Sequence, residues 1–238
     1  MLYALRFPFS LAVLIAAFLV GVVARGLVQE RILGVRRPAL RSPGRSRLGS
    51  GARGIRRFID PYGALCAVLG GVGWGSDVVD DVIPRVRGGR RSRVVAALIA
   101  GPVVLFVLGA AALIGYDHLT IGRPTGGGLV INTVHGDMMA VDHFHYLVGY
   151  GPLALYLAGV ELVAMALLAL VPLPPLDGGR LLFALAPKTL GWQRARYRLE
   201  DDNWGLLIVL VLTLPIFGNP IIIAVIDAII DPLITVLS

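Results

Sequence analysis

Apolar residues in this chain neither recur at helical spacing against a polar face nor alternate. They run in unbroken blocks. Residues 7–24 (FPFSLAVLIAAFLVGVVA) and 94–116 (VVAALIAGPVVLFVLGAAALIGY) carry no charge, and 146–176 carry only Glu161. Residues 205–226 are also uncharged but are interrupted by Pro215, Gly218 and Pro220. A helix needs about 20 apolar residues to cross a bilayer. The pattern therefore predicts spans over 7–30, 94–116 and 147–171, and a terminal apolar hairpin over 205–218 and 219–236. A fifth stretch, 61–76 (PYGALCAVLGGVGWGS), is uncharged but short and glycine-rich. It reads as a re-entrant or surface-lying segment, which must be buried in protein or line a cavity. The fold class is an all-α integral membrane protein, organised as a single polytopic domain over 1–238.

Composition agrees with the pattern. The 238 residues are 56% hydrophobic and 16% charged, against about a quarter charged in soluble domains. The first apolar block exceeds the ~7–15 residues of a secretory h-region and lacks a clean A-x-A site, so a retained span is expected. The single Cys66 excludes an internal disulfide framework.

Charge then sets the orientation. The net charge is +7, and fourteen of the 22 basic residues lie between Arg31 and Arg93. They fall in loops 31–60 and 77–93, both abutting apolar blocks. No aromatic residues interleave them as a nucleic-acid stacking platform requires. The distribution follows the positive-inside rule, so these loops are expected in the cytoplasm, in contact with anionic lipids, with loop 117–146 outside. No nucleic-acid partner is expected.

The end of the third block, ALVPLPPLDGGRLL (169–182), is the most unusual stretch. Prolines and glycines break helices, and here Pro172, Pro174, Pro175, Gly178 and Gly179 surround a carboxylate, Asp177, at the edge of hydrocarbon. Four stretches, FIDPYGAL (58–65), GWGSDV (73–78), AGPVVLFVLGAA (100–111) and PLPPLDGGR (172–180), occur in this order. Together they resemble the site-2 protease family of intramembrane zinc metalloproteases. The resemblance implies that family's helix bundle, with a re-entrant segment and a broken helix at the LDGG motif, and it implies that Asp177 occupies the place of a zinc ligand.

The family's first helix carries H-E-x-x-H, which supplies two zinc ligands and a base. Alignment on Gly34 places that motif at 22–26, where this chain has Val22, Val23, Ala24, Arg25 and Gly26. No histidine occurs before His118. Catalytic zinc generally takes three protein ligands, and Asp177 alone does not hold it. The chain is therefore expected to lack a cofactor and to act as a catalytically inactive scaffold, binding module or subunit for other integral membrane proteins, in a bacterial plasma membrane. The alternatives are an active metalloprotease with an atypical ligand set and, more remotely, a transporter.

A carboxylate without its metal needs another partner. Arg25 and Arg180 are the candidates for Asp177, against a solvated acid. Glu161, inside a span, is expected to hydrogen-bond a neighbouring helix. The histidines lie in 118–145, and His135, His143 and His145 fall in HGDMMAVDHFH with two aspartates. A solvated polar loop is the expectation there, with a separate external metal site as the weaker reading. RPTGGGLVINTV (123–134) predicts a short strand or hairpin.

Overall fold

A computed structural model of the chain describes residues 7–34, 54–76, 91–120, 130, 133, 149–187, 189–214 and 220–237. Among these the structure is helical apart from turns and one isolated bridge between Ile59 and Gly75. Helix α1 (Pro8–Leu33) opens on proline at its first position, where the missing N–H costs nothing. It closes on Gly34, whose left-handed backbone (φ 67°) turns its N–H onto the carbonyls of Glu30 and Arg31. A 3₁₀ turn (Gly54–Phe58) leads to α2 (Pro61–Gly70). The Asp60 carboxylate caps α2, accepting from the N–H groups of Tyr62 and Gly63 at 2.7 and 3.2 Å. The chain then turns back in extended form, and Ser76 N–H donates to the Phe58 carbonyl at 2.7 Å.

Helix α3 (Arg91–Leu119) and helix α4 (Tyr150–Leu170) complete a three-helix core with α1. At 1.5 Å per residue, these helices of 26, 29 and 21 residues are about 39, 44 and 32 Å long, enough for a hydrocarbon layer of about 30 Å. These are the three helices, among the described residues, long and apolar enough to cross a membrane. Helix α4 is the central one: its apolar window is 72% buried, against 39% and 33% in α1 and α3. Its seam with α3 is built on small residues. A Cβ on Gly109 would press on Val163 and the Gly159 carbonyl, and one on Gly159 would press on Leu113. Close backbone approach of this kind is how helices pack where hydrophobicity gives no preference for protein over lipid. The outer face of α3 leaves Ile99, Val103, Val107 and Ile114 exposed, and α1 leaves Ile15, Val20 and Leu27 exposed. Such a surface suits hydrocarbon rather than water.

After α4 the chain breaks at 171–176, through a cis Pro174–Pro175 bond. It restarts as α5 (Asp177–Leu185), followed by α6 (Leu190–Arg196), a π-helical turn (Tyr197–Asp201), α7 (Trp204–Thr213) and α8 (Ile221–Leu237). The expected hairpin differs in one respect: α7 stops at Thr213 rather than 218. Its ten residues reach about 15 Å, half a hydrocarbon layer. The Thr213 hydroxyl turns back onto the Val209 carbonyl at 2.7 Å.

The strand expected over 123–134 is not found where the structure is described. Val130 and Thr133 are helical and buried. The Val130 N–H donates to the Asp227 carboxylate of α8 at 2.7 Å. A tertiary partner for that backbone group outweighs the local β-propensity of a Val-Ile-Asn-Thr-Val run. The rest of that stretch lies outside the described residues, as do His135, His143 and His145.

Candidate functional site

Asp177 begins α5, where the partial positive charge of a helix N-terminus favours a carboxylate. Gly178 makes this geometry possible: a Cβ there would collide with the Leu170 and Val171 carbonyls at the end of α4. The DGG sequence therefore lets a new helix start directly against the terminus of the previous one. Asp177 is carried back into the bundle instead of outward, and it is 1% exposed.

Two side chains of α1 meet it. Arg25 Nε donates to Asp177 Oδ2 at 2.7 Å, and Arg25 Nη2 donates to Oδ1 at 2.5 Å. This is the two-pronged guanidinium–carboxylate arrangement, the strongest geometry for such a pair. Gln29, one turn further along α1, donates from Nε2 to Asp177 Oδ2 at 3.2 Å. The remaining arm of Arg25 donates from Nη1 to the Gly75 carbonyl at 3.2 Å. Arg25, Gln29 and Asp177 are all buried. A Cβ on Gly101 of α3 would lie 2.8 Å from Gln29 Nε2 and 2.9 Å from Asp177 Oδ2. Gly101 is thus the flat wall against which the three side chains pack. Four segments meet here: α1, the extended return after α2, α3 and α5.

The positions aligned with the missing H-E-x-x-H behave differently. Val22 is buried beneath Gly75. Gly26 is occupied by the Phe58 ring, which lies where a Cβ would go. Val23 is only half-buried. The residues whose side chains reach Asp177 lie three positions later, at 25 and 29. Helical spacing puts this i, i+4 pair on one face. Gln29, Gly75 and Gly101 were not singled out by the sequence. The legible signal is a pair of polar residues four apart, Arg25 and Gln29, where the apolar run of α1 gives way toward its C-terminal end. Arg180, the other candidate partner, is half-buried one turn along α5. Pro174 packs under the start of α7, its carbonyl lying where a Cβ on Gly205 would go, and Pro172 is exposed.

The site's chemistry follows from its donor set. A guanidinium has five N–H donors and no lone pair to offer a metal, and here it engages both oxygens of the one carboxylate. Among the described residues no three of His, Cys, Asp and Glu converge. These side chains do not fit a zinc ion, which requires three lone-pair ligands. Nor is there an activated thiol: burial, and secondarily the charge of Asp60, push Cys66 up to about 12, so it is inert at neutral pH. His118 sits exposed in the last turn of α3.

Glu161 does not make the interhelical hydrogen bond expected of it. It is 0% exposed within α4, and neither carboxyl oxygen has a hydrogen-bond partner among the described residues. Leu157, Ala164 and Leu168, which share its side of the helix by spacing, are also fully buried. The apolar side chains at those positions offer it no hydrogen bond.

No protein-family model, curated protein or solved structure matches the chain.

Proposed function

We propose that this chain is a non-catalytic membrane scaffold of the site-2 protease type, in which a buried ion pair stands where a metal centre would be. The observation that carries this reading is the engagement of both Asp177 oxygens by the Arg25 guanidinium, with Gln29 adding a third donor. A permanent cation fixed to the acid supplies the positive charge structurally. It cannot polarise a water or present an open coordination position, which metal-assisted hydrolysis requires. The bundle then serves to hold other membrane helices against its faces, as a subunit or binding module, with its arginine-rich loops on the cytoplasmic side of a bacterial plasma membrane.

The test is purification from native membranes in mild detergent, with metal analysis of the product. A stoichiometric companion membrane protein and no bound zinc support the scaffold. A free monomer carrying one zinc, which cleaves a single-pass helix and loses both properties in Asp177→Asn, would establish the rival metalloprotease reading. A gain-of-metal variant probes the geometry directly. Arg25→His with Gln29→His places two imidazoles one turn apart facing Asp177. That double variant is expected to bind one equivalent of zinc, whereas Val22→His with Gly26→His is expected to bind none because Phe58 fills the second position.

A further inference from the structure

The segment from the end of α5 to the start of α7 exposes large apolar side chains interleaved with arginines. Leu185 is 59% exposed, Leu190 72%, Tyr197 59% and Trp204 56%. Phe183 and Trp192 stack edge to face at 6.1 Å between centroids, tying α6 to α5. Apart from Trp192 and Ala195, every residue of α6 is exposed. The ring pair turns Trp192 toward α5 and leaves most of α6 facing its surroundings. Arg194, Arg196 and Arg198 are all exposed on the same stretch. Arg196 donates to Glu200 at 2.6 Å, so its charge is compensated, and Asp201 and Asp202 follow at the far end.

Its place in the fold narrows what it meets. Helix α5 packs along α3 and α4, and the Ala184 carbonyl accepts from Arg91 Nε at 2.6 Å. Arg91 and Arg93 begin α3, and the Arg93 guanidinium reaches toward Gly34, just past the end of α1. The α5–α6 corner therefore lies level with the arginine-bearing ends of two apolar helices, where headgroups replace hydrocarbon. Aromatic rings and leucines beside arginines at that level are the composition of a helix lying in the interface plane.

We infer that α6, with the end of α5 and the turn that follows, is an in-plane anchor for an anionic phospholipid leaflet. Leu185, Leu190 and Tyr197 enter the acyl–headgroup boundary, while Trp192 faces α5 through its contact with Phe183. Arg194 and Arg198 meet the phosphates. This inference rests on the membrane character of the three long helices and is independent of whether the chain is a scaffold or a protease.

The experiment uses the full chain with Trp74→Phe, Trp192→Phe and Trp204→Phe, and with Tyr197→Trp as the single indole on the exposed side of the segment. It is reconstituted in vesicles of phosphatidylcholine, with or without phosphatidylglycerol, containing lipid brominated near the top of the acyl chains. The expected result is quenching of the indole at position 197 by the brominated lipid and protection from aqueous acrylamide. Quenching should increase on adding phosphatidylglycerol, and that increase should be lost in Arg194→Gln with Arg198→Gln. Each arginine near an anionic surface shifts such an equilibrium about fivefold. Acrylamide quenching without bromolipid quenching would overturn the inference, leaving α6 in water or reserved for a protein partner. Bromolipid quenching indifferent to both phosphatidylglycerol and the two glutamines would overturn the anionic part. Leaving Arg196 in place keeps the Glu200 pair intact, so the variant tests charge and not folding.

Discussion

An arginine that is only 4% exposed, in a helix apolar enough to cross a membrane, persists because its charge is fully answered. Arg25 spends its donors on two carboxylate oxygens and one carbonyl. Removing one member strands the other. Arg25→Ala or Asp177→Asn should each lower stability by about 3–5 kcal/mol, read as a loss of melting temperature in detergent. Arg25→Lys should recover little of it, because an ammonium does not reproduce the two-pronged geometry. Arg25→Met combined with Asp177→Asn should be less damaging than the two single effects summed, since neither charge is then left alone. Glu161 makes the opposite case. Among the described residues its two oxygens have no hydrogen-bond partner, so burial of the carboxyl is a cost with no compensating bond there. Glu161→Leu, similar in size and apolar, should raise the melting temperature, by an amount corresponding to about 1–3 kcal/mol. An unchanged or lowered value would mean that the acid is held by contacts other than hydrogen bonds.

At the scale of elements, the site depends on backbone approach more than on side-chain choice. Gly101 leaves room for Gln29 and Asp177, and Gly178 lets α5 start against the end of α4. For Gly101 the atoms in the way belong to side chains that can shift; for Gly178 they are backbone carbonyls that cannot. Gly101→Ala should therefore cost about 1–3 kcal/mol and loosen the Gln29 contact while leaving the bundle folded. Gly178→Ala should cost more, because α5 must move as a unit and take Asp177 with it. The two melting curves, compared in one detergent, rank them. This is also where sequence reading reached its limit. The three long helices were legible because uninterrupted apolar runs admit few alternatives. The break at 171–176 was legible because its prolines and glycines leave no helix to form. The register of the polar face of α1 was not, since a motif aligned on Gly34 gives positions along the chain and not directions around the helix. Arg25 could be named as a partner, but Gln29, Gly75 and Gly101 become visible only once four segments are in place. The strand expected over 123–134 failed where it can be judged, because Asp227, ninety-seven residues away from Val130, takes a backbone N–H that local propensity would have given to a neighbouring strand.

For the whole molecule, the depth of the ion pair matters most. Arg25 lies eight residues before the end of α1, and Gly101 lies ten residues after the start of α3. At 1.5 Å per residue both place the pair about 12–15 Å in from the arginine-bearing ends of those helices. The pair is thus a strut inside the bundle and not a surface contact, and it joins α1 to α5 and to the extended return after α2. The glycine seam between α3 and α4 owes nothing to it. Loss of the pair should therefore release the structure unevenly. In Asp177→Asn, amide hydrogen exchange should rise in 72–76 and 177–185, whose positions depend on Arg25, and stay slow in 105–113 and 157–166, which the seam protects. A uniform rise across all four segments would mean that the bundle unfolds as one unit and that the pair is part of its common core. A rise confined to the first two would mark the pair as a separable joint, the property a scaffold needs if one part is to yield to a partner while the rest holds its shape.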